Sequence, residues 1–377
     1  MTSPTGGAAA ASALLLDLEG SPTLPANAGD YGIASVGAGA IVNACHLPVY
    51  RRAGLRLAGV FDVRAEAAEA TARAFELPRV YRSLEEVLED RTVRVVDVAV
   101  PATEQAEIAM KVAAAGKHLL CQKPLAERYD QAVQVVEAAR AAGVKLAVNQ
   151  QMRWDPGMRA VKTLLDRGWL GQPFAASITV NVRTPWEGWP WLLAKPTHEI
   201  MYHSIHYLDS LRFLLGDPAW VFAHGAQFPG FPARGETRTL LLLEYAKPVH
   251  LRAVVHDEHH NTSAEDDWFA TFRVEGTEGT AKGTIGALYD YPHGRPDTLT
   301  YTSRLLRPNA WITPRLAGRW FPDAFLGPMA SLLTAIATGG EAETSEADNL
   351  GTLRLMFAAY RSMAERRTVP LAEEVAR

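Results

Sequence analysis

Two textures alternate between residues 31 and 150. Short runs are apolar almost throughout: "YGIASVG" (31–37), "LRLAGVFD" (55–62), "RVVDVAVP" (94–101), "KHLLC" (117–121) and "VKLAVNQ" (144–150). Between them lie alanine-rich stretches with helical spacing: "AIVNACHLPVYRRA" (40–53), "AEAAEATARAF" (65–75), "EQAEIAMKVAAAG" (104–116) and "YDQAVQVVEAARAAG" (129–143). Strands that are apolar on both sides, separated by helices, predict a parallel sheet covered on both faces. The glycine at 116 is a helix stop.

After residue 150 the pattern changes. "MRWDPGMRAVKTLLDRGWLGQP" predicts a helix and a turn. "FAASITVNVRTP" (174–185), "WVFAHGAQFPG" (220–230), "TRTLLLLEYA" (237–246), "PVHLRAVVHDE" (248–258) and "DWFATFRVEGTEGTAKGTIG" (267–286) predict antiparallel strands joined by turns. A helix, "EIMYHSIHYLDSLRFLLG" (199–216), interrupts them, and helices at 328–340 and 347–367 follow. The predicted fold is an α/β domain with a doubly wound Rossmann sheet, then an α+β domain whose mainly antiparallel sheet carries helices on one face. The boundaries drawn are a leader at 1–30, the Rossmann domain at 31–150, a substrate and oligomerisation domain at 151–340 and a closing C-terminal helix at 341–377. No internal repeat is visible.

The first strand runs into "VGAGAIV" (36–42). Gly37 permits the tight turn, Gly39 lets backbone approach a pyrophosphate, and the helix opening at Ala40 and Ile41 offers N–H groups to an anion. Val42 occupies the third small position of this fingerprint, a departure from it. Asp62 lies about 20 residues on, at the end of the second strand, where an acid holds ribose hydroxyls. Asp62 would repel a 2′-phosphate, which favours NAD. Arg64 keeps NADP open.

Taken in order, "VGAGAIVNACHLP", "VVDVAVP", "AAAGKHLLCQKPLAE", "YHSIHYLDSLRFLLG", "VEGTEGTAKG" and "TLRLMFAAYRSM" resemble the Gfo/Idh/MocA family, the glucose–fructose oxidoreductase and inositol dehydrogenase group, over about residues 31–371. The resemblance implies an NAD(P)-dependent dehydrogenase or reductase. Such an enzyme moves hydride between a nicotinamide and a hydroxyl-bearing carbon of a sugar, polyol or related carbohydrate. The family's Glu-Lys-Pro signature reads Gln122–Lys123–Pro124 here. Lys123 is thereby implied as a catalytic and cofactor-side group, partly desolvated and able to bond a substrate hydroxyl. The family's acid, histidine and acid fall on Tyr202, His206 and Asp209. His206 is the implied proton acceptor, Tyr202 a hydrogen-bond donor, and Asp209 structural. Pro101 and Gln105 are assigned to the cofactor, Gln105 standing where relatives often carry histidine. Arg153, Trp154 and His203 are assigned to the substrate. "TPWEGWPWLLAKP" (184–196) brings Trp191 and Lys195 either over the substrate or into a hydrophobic plug or subunit contact. A second class stays open: an enzyme that recycles tightly held NAD during glycoside cleavage, or a cofactor-binding sensor.

The bulk properties narrow the partners. The 377 residues carry a net charge of −4 with mixed signs, so no nucleic-acid surface is expected. No stretch approaches a membrane span. The apolar run at Leu14–Leu16 has no basic residue before it, so residues 1–30 are expected to be a leader without a secretory signal, disordered or laid across the first domain. Two cysteines predict no disulfide framework and a reducing cytoplasm. Leu240, Leu242 and Val254 alternate along strands and predict burial against a second subunit, giving a homodimer or homotetramer. For metals, Glu199, His203 and His206 have helical spacings, but no metal is expected. "HDEHH" (256–260) is expected to be a solvated strand end or loop.

Overall fold

The computed structural model describes residues 22–246, 250–289 and 294–375. It divides into two units. The first runs to Gln151 and resumes over Phe321–Leu353. The second comprises Met152–Trp320 and resumes at Arg354.

The first unit holds the parallel sheet. Its strands are β1 (Gly32–Val36), β2 (Leu57–Phe61), β3 (Val93–Val98), β4 (His118–Cys121) and β5 (Leu146–Val148), in the order β2-β1-β3-β4-β5. Every residue of β1 and β5 is buried, as their unbroken apolar sequences require. The order reverses between β1 and β3. Ligands of open α/β sheets bind at such a reversal, beyond the carboxyl ends of the strands. The helix Ala65–Phe75 buries Ala68 and Ala72 against Val60 of β2. A short helix, Leu84–Glu89, was not evident from the sequence; Ser83 caps it by accepting from the Glu86 N–H.

The predicted break at 340/341 is not where the units part. Phe325, Met329, Leu332 and Leu333, spaced four, three and one apart, form one apolar face along the helix Leu326–Thr338 and its first turn. That face joins Ile33, Leu120 and Ala147 in a single core. Farther on, the Val148 N–H donates to the Thr344 carbonyl at 2.8 Å. Residues 321–353 therefore complete the first unit. Of the proposed leader, residues 1–21 lie outside the described residues, while Leu24 and Ala28 pack into this same core.

The second unit is built on a nine-stranded sheet. It contains β6 (Pro173–Asn181), β7 (Trp220–Ala226), β8 (Arg238–Glu244), β9 (Arg252–Glu258), β10 (Phe269–Gly276), β11 (Gly279–Thr284), β12 (Thr298–Ser303), β13 (Arg307–Ile312) and β14 (Val369–Pro370). Their order is β13-β12-β11-β10-β6-β9-β8-β7-β14. Only β6 and β9 pair in parallel. The helices Pro156–Asp166 and Ile205–Leu215 lie against β11–β12 and β6–β9. On the opposite register of β8, Leu240 and Leu242 are 47% and 40% exposed. They pair with His224 and Phe222 of β7. The strands β12 and β13 were not predicted: their threonines and polar residues lack an apolar run.

Candidate active site

The glycine turn is built for close approach. Gly37 has φ of +108°, and a Cβ there would meet the Ala99 carbonyl oxygen at 2.2 Å. Its N–H donates to the Phe61 carbonyl at 2.7 Å, tying the turn to the end of β2. A Cβ on Gly39 would meet nothing within 4 Å, so this backbone faces open space. Ala40 is exposed beside it, whereas Ile41 turns toward the core and Val42 is fully buried. A π-helical turn, Val42–His46, then leads into the helix Leu47–Arg52. Asn43 clamps the turn by donating to the carbonyls of Ala38 and Gly39 at 3.0 and 2.9 Å, a contact the sequence did not reveal.

Asp62 reaches the same turn from β2. Its Oδ2 accepts from the Ala38 N–H at 2.8 Å, and its Oδ1 accepts from the Arg64 N–H at 2.9 Å. The Arg64 guanidinium is largely in solvent and touches Asp62 through Nε at 3.3 Å. A turn open at Gly39, a glycine obliged at 37 and an acid fixed at the end of β2 fit a dinucleotide with free ribose hydroxyls. Pro101 stands exposed at the carboxyl end of β3, at the start of the helix Ala102–Ala114.

Lys123 follows β4 and is half-buried, with a cis bond to Pro124. Gln105 holds its loop. The buried Gln105 amide donates to the carbonyls of Gln122, Pro124 and Leu125 at 2.6, 2.9 and 3.2 Å. Its Nε2 is thus committed to the backbone on either side of Lys123. The Gln122 side chain points the other way. Its Oε1 accepts from the Lys123 N–H at 3.0 Å, and its Nε2 donates to His46 Nε2 at 3.0 Å. His46 also receives the Asn149 amide at 3.0 Å and donates through Nδ1 to Asp97 Oδ2 at 2.7 Å.

In the second unit, a π-helical turn at Ile200–Ser204 precedes the helix Ile205–Leu215. Tyr202 and His206 are both buried. Trp191 packs edge-on against Tyr202 with centroids 5.5 Å apart, and Trp320 packs edge-on against His206 at 5.3 Å. Trp191 itself is 41% exposed. Lys195 is half-buried just after the short helix Pro190–Leu193.

Residues 31–150 match the model of an oxidoreductase family with an NAD-binding Rossmann fold, Gfo/Idh/MocA, and residues 158–282 match a C-terminal domain of that family. The chain is 30% identical over 330 residues to a D-apiose dehydrogenase from Paraburkholderia graminis, covering 86% of each protein. The chain belongs to the Gfo/Idh/MocA family. It is also 28% identical to an inositol 2-dehydrogenase from Rhizobium meliloti, covering 89% of this chain and 98% of the relative. Among solved structures it resembles an oxidoreductase from Agrobacterium radiobacter, determined with NAD+, L-tartaric acid and magnesium. That match has a TM-score of 0.80 at 24% identity over 91% of this chain and 99% of the other, a likeness of fold. As a member of this family the chain is an NAD-dependent oxidoreductase.

Several expected substrate residues have other tasks. Arg153 is buried and makes a two-pronged pair with Asp209, with both N···O distances at 2.7 Å. Its guanidinium is paired with the family's second acid. Trp154 is buried beneath the Arg159 guanidinium at 4.5 Å, and it too is a packing residue.

The "HDEHH" stretch is not a solvated loop. Asp257 and His259 are fully buried, continuing the inward register of Ala253 and Val255. They meet Glu199 and His203, not His206, whose ring centroid is 6.4 Å from that of His203. His203 Nδ1 lies 3.4 Å from Glu199 Oε1 and 3.3 Å from Asp257 Oδ2. His259 Nε2 lies 2.9 Å from Asp257 Oδ1 and 4.0 Å from Glu199 Oε1. Burial pushes the Asp257 carboxyl up. The adjoining His203 and His259 more than offset this and hold it below the usual carboxylate range. Alternation along β9 was the available signal, since both residues sit two and four positions beyond Val255.

Proposed function

We propose that this enzyme oxidises a hydroxyl of a sugar or polyol, with His206 taking the hydroxyl proton. The observation that carries this reading is the set of side chains on one stretch of the second unit. His206 follows Tyr202 by one helical step, and the partly exposed Trp191 stands edge-on to that phenol. An indole face suits the C–H surface of a sugar, and the phenol can donate to a hydroxyl oxygen. An imidazole titrates near neutral pH, as a base for this proton must. Bound NAD supplies the hydride acceptor. Lys123, on a loop fixed by Gln105, supplies an ammonium donor to substrate oxygen. Asp62 selects NAD over NADP by repelling a 2′-phosphate.

The family relatives point to trial substrates: D-apiose and inositol lead a panel of aldoses and polyols followed by NADH absorbance. Net NADH formation is expected, and its absence across the panel sinks the reading. His206→Ala and Lys123→Ala should each lower turnover by about 10²–10⁴ while leaving NAD affinity near wild type. Tyr202→Phe should cost about tenfold, the size of one net hydrogen bond. The exposed register of β7 and β8 supports a homo-oligomer formed through this sheet. Light scattering of Leu240→Arg should then show a smaller particle than wild type. Buried free thiols at Cys45 and Cys121 support a cytoplasmic setting.

A further inference from the structure

We propose that Glu199, His203, Asp257 and His259 bind a divalent transition-metal ion of the zinc class. The four come from two places, the π-helical turn before the helix Ile205–Leu215 and the end of β9, and their ligand atoms all lie within 4.8 Å of one another. Bonds of about 2.0–2.1 Å in a tetrahedral zinc site set neighbouring ligand atoms about 3.3 Å apart. Glu199 Oε1 lies 3.4 Å from His203 Nδ1 and 4.0 Å from His259 Nε2. Asp257 meets His203 through Oδ2 at 3.3 Å and His259 through Oδ1 at 2.9 Å. These separations lie around that edge, with either Asp257 oxygen free to turn to the ion.

The surroundings orient these ligands as metal sites do. His259 Nδ1 is 2.6 Å from the Thr184 hydroxyl, which leaves Nε2 facing the cluster. The Ser204 hydroxyl donates to Asp257 Oδ2 at 2.6 Å and is itself 3.2 Å from the Thr239 hydroxyl. Buried Trp186 closes the site with an indole 5.8 Å from His259 and 6.2 Å from His203. Glu236 fixes the start of the turn by accepting the Ile200 N–H at 3.0 Å, and Tyr360 donates to Glu236. Charge gives an independent reason. Glu199 and Asp257 are fully buried, and two such carboxylates are costly unless matched. A doubly positive ion matches both and leaves both imidazoles neutral. Two imidazoles with two carboxylates suit zinc, cobalt or manganese, whereas magnesium favours an all-oxygen shell.

The test does not depend on the dehydrogenase reading, because it needs no substrate. Full-length protein stripped with chelator is titrated with Co2+ and followed by visible absorbance, and zinc content is measured after equilibrium dialysis. Wild type should take up about one ion per chain, with a tetrahedral cobalt band and a raised melting temperature. Asp257→Asn and His259→Asn should lose at least a hundredfold in affinity. His206→Ala and His256→Ala should keep it. Circular dichroism confirms that each variant is folded. Should a variant fail to fold, the wild-type titration decides alone. No stoichiometric uptake of cobalt or zinc by wild type overturns the site, leaving an imidazolium–carboxylate network. Loss of binding in His206→Ala with retention in His259→Asn overturns the ligand set.

Discussion

The two units shelter buried charge differently. In the first, Asp97 meets one imidazole, and the far side of that ring is met by two neutral amides, Gln122 and Asn149. In the second, ionisable groups meet one another: Arg153 with Asp209, Asp155 with Asp297, and the Glu199–His203–Asp257–His259 quartet. An amide keeps its charge state at every pH and supplies a donor in a fixed direction. A set of several facing carboxylates and imidazoles, as in the quartet, does so only in certain protonation states. The first arrangement holds a loop in place; the second leaves groups that can exchange protons or cations.

Removing one partner should expose this contrast most in the second unit. Arg153→Met leaves Asp209 buried without its counter-charge. Its cost should be about 3–5 kcal/mol, read from the urea midpoint of the second-unit transition. Gln122→Leu removes only neutral hydrogen bonds and should cost about 1–2 kcal/mol. Equal losses in the two variants would erase the distinction between the units.

A smaller effect sharpens it through pH. Burial raises Asp155 well above the usual carboxylate range, and the nearby Asp297 raises it further; burial raises Asp297 too. A carboxyl that holds its proton more tightly when folded contributes stability that is fully present below about pH 4. That stability is lost as pH rises through the folded value. The contribution of this pair should therefore fall between pH 4 and neutrality. Asp297→Asn should flatten that slope and gain about 1 kcal/mol at pH 7, with the two proteins converging near pH 4. Thermal melts at matched ionic strength give the comparison. A variant less stable at pH 7 with an unchanged slope would refute it.

A comparably small effect concerns the cofactor. Asp62→Ser removes the charge beside the ribose position. It should raise NADP affinity by up to about tenfold with little change for NAD, measured by fluorescence titration. An unchanged ratio would mean that Asp62 serves the turn at Ala38 alone.

How much of this was legible follows from range. The parallel strands were, because an apolar run is a local signal, and so was the Gly37–Gly39 turn with its acid. The partner of Gln122 was not. His46 lies 76 positions earlier in the chain and meets Gln122 only because β1, β3 and β4 are neighbours. The pairing of Arg153 with Asp209 was hidden for the same reason, since the two lie 56 positions apart. The quartet was half legible: the helical spacing singled out Glu199 and His203, but polarity at 256–260 masked the strand alternation that turns Asp257 and His259 inward. The segment 321–353 was assigned by order along the chain, while its apolar face belongs to the first unit.

That return of the chain bears on biosynthesis. The helix Leu326–Thr338 supplies core residues to a sheet whose last strand ends at Val148, so about 180 further residues must leave the ribosome before that core can close. Until then Ile33, Leu120 and Ala147 lack their permanent cover, and the nascent protein presents an apolar surface that a chaperone would recognise. A gene cut after Gln151 would encode the glycine turn and Lys123 without the helix that seals their sheet, so a simple N-terminal fragment should expose that core and aggregate.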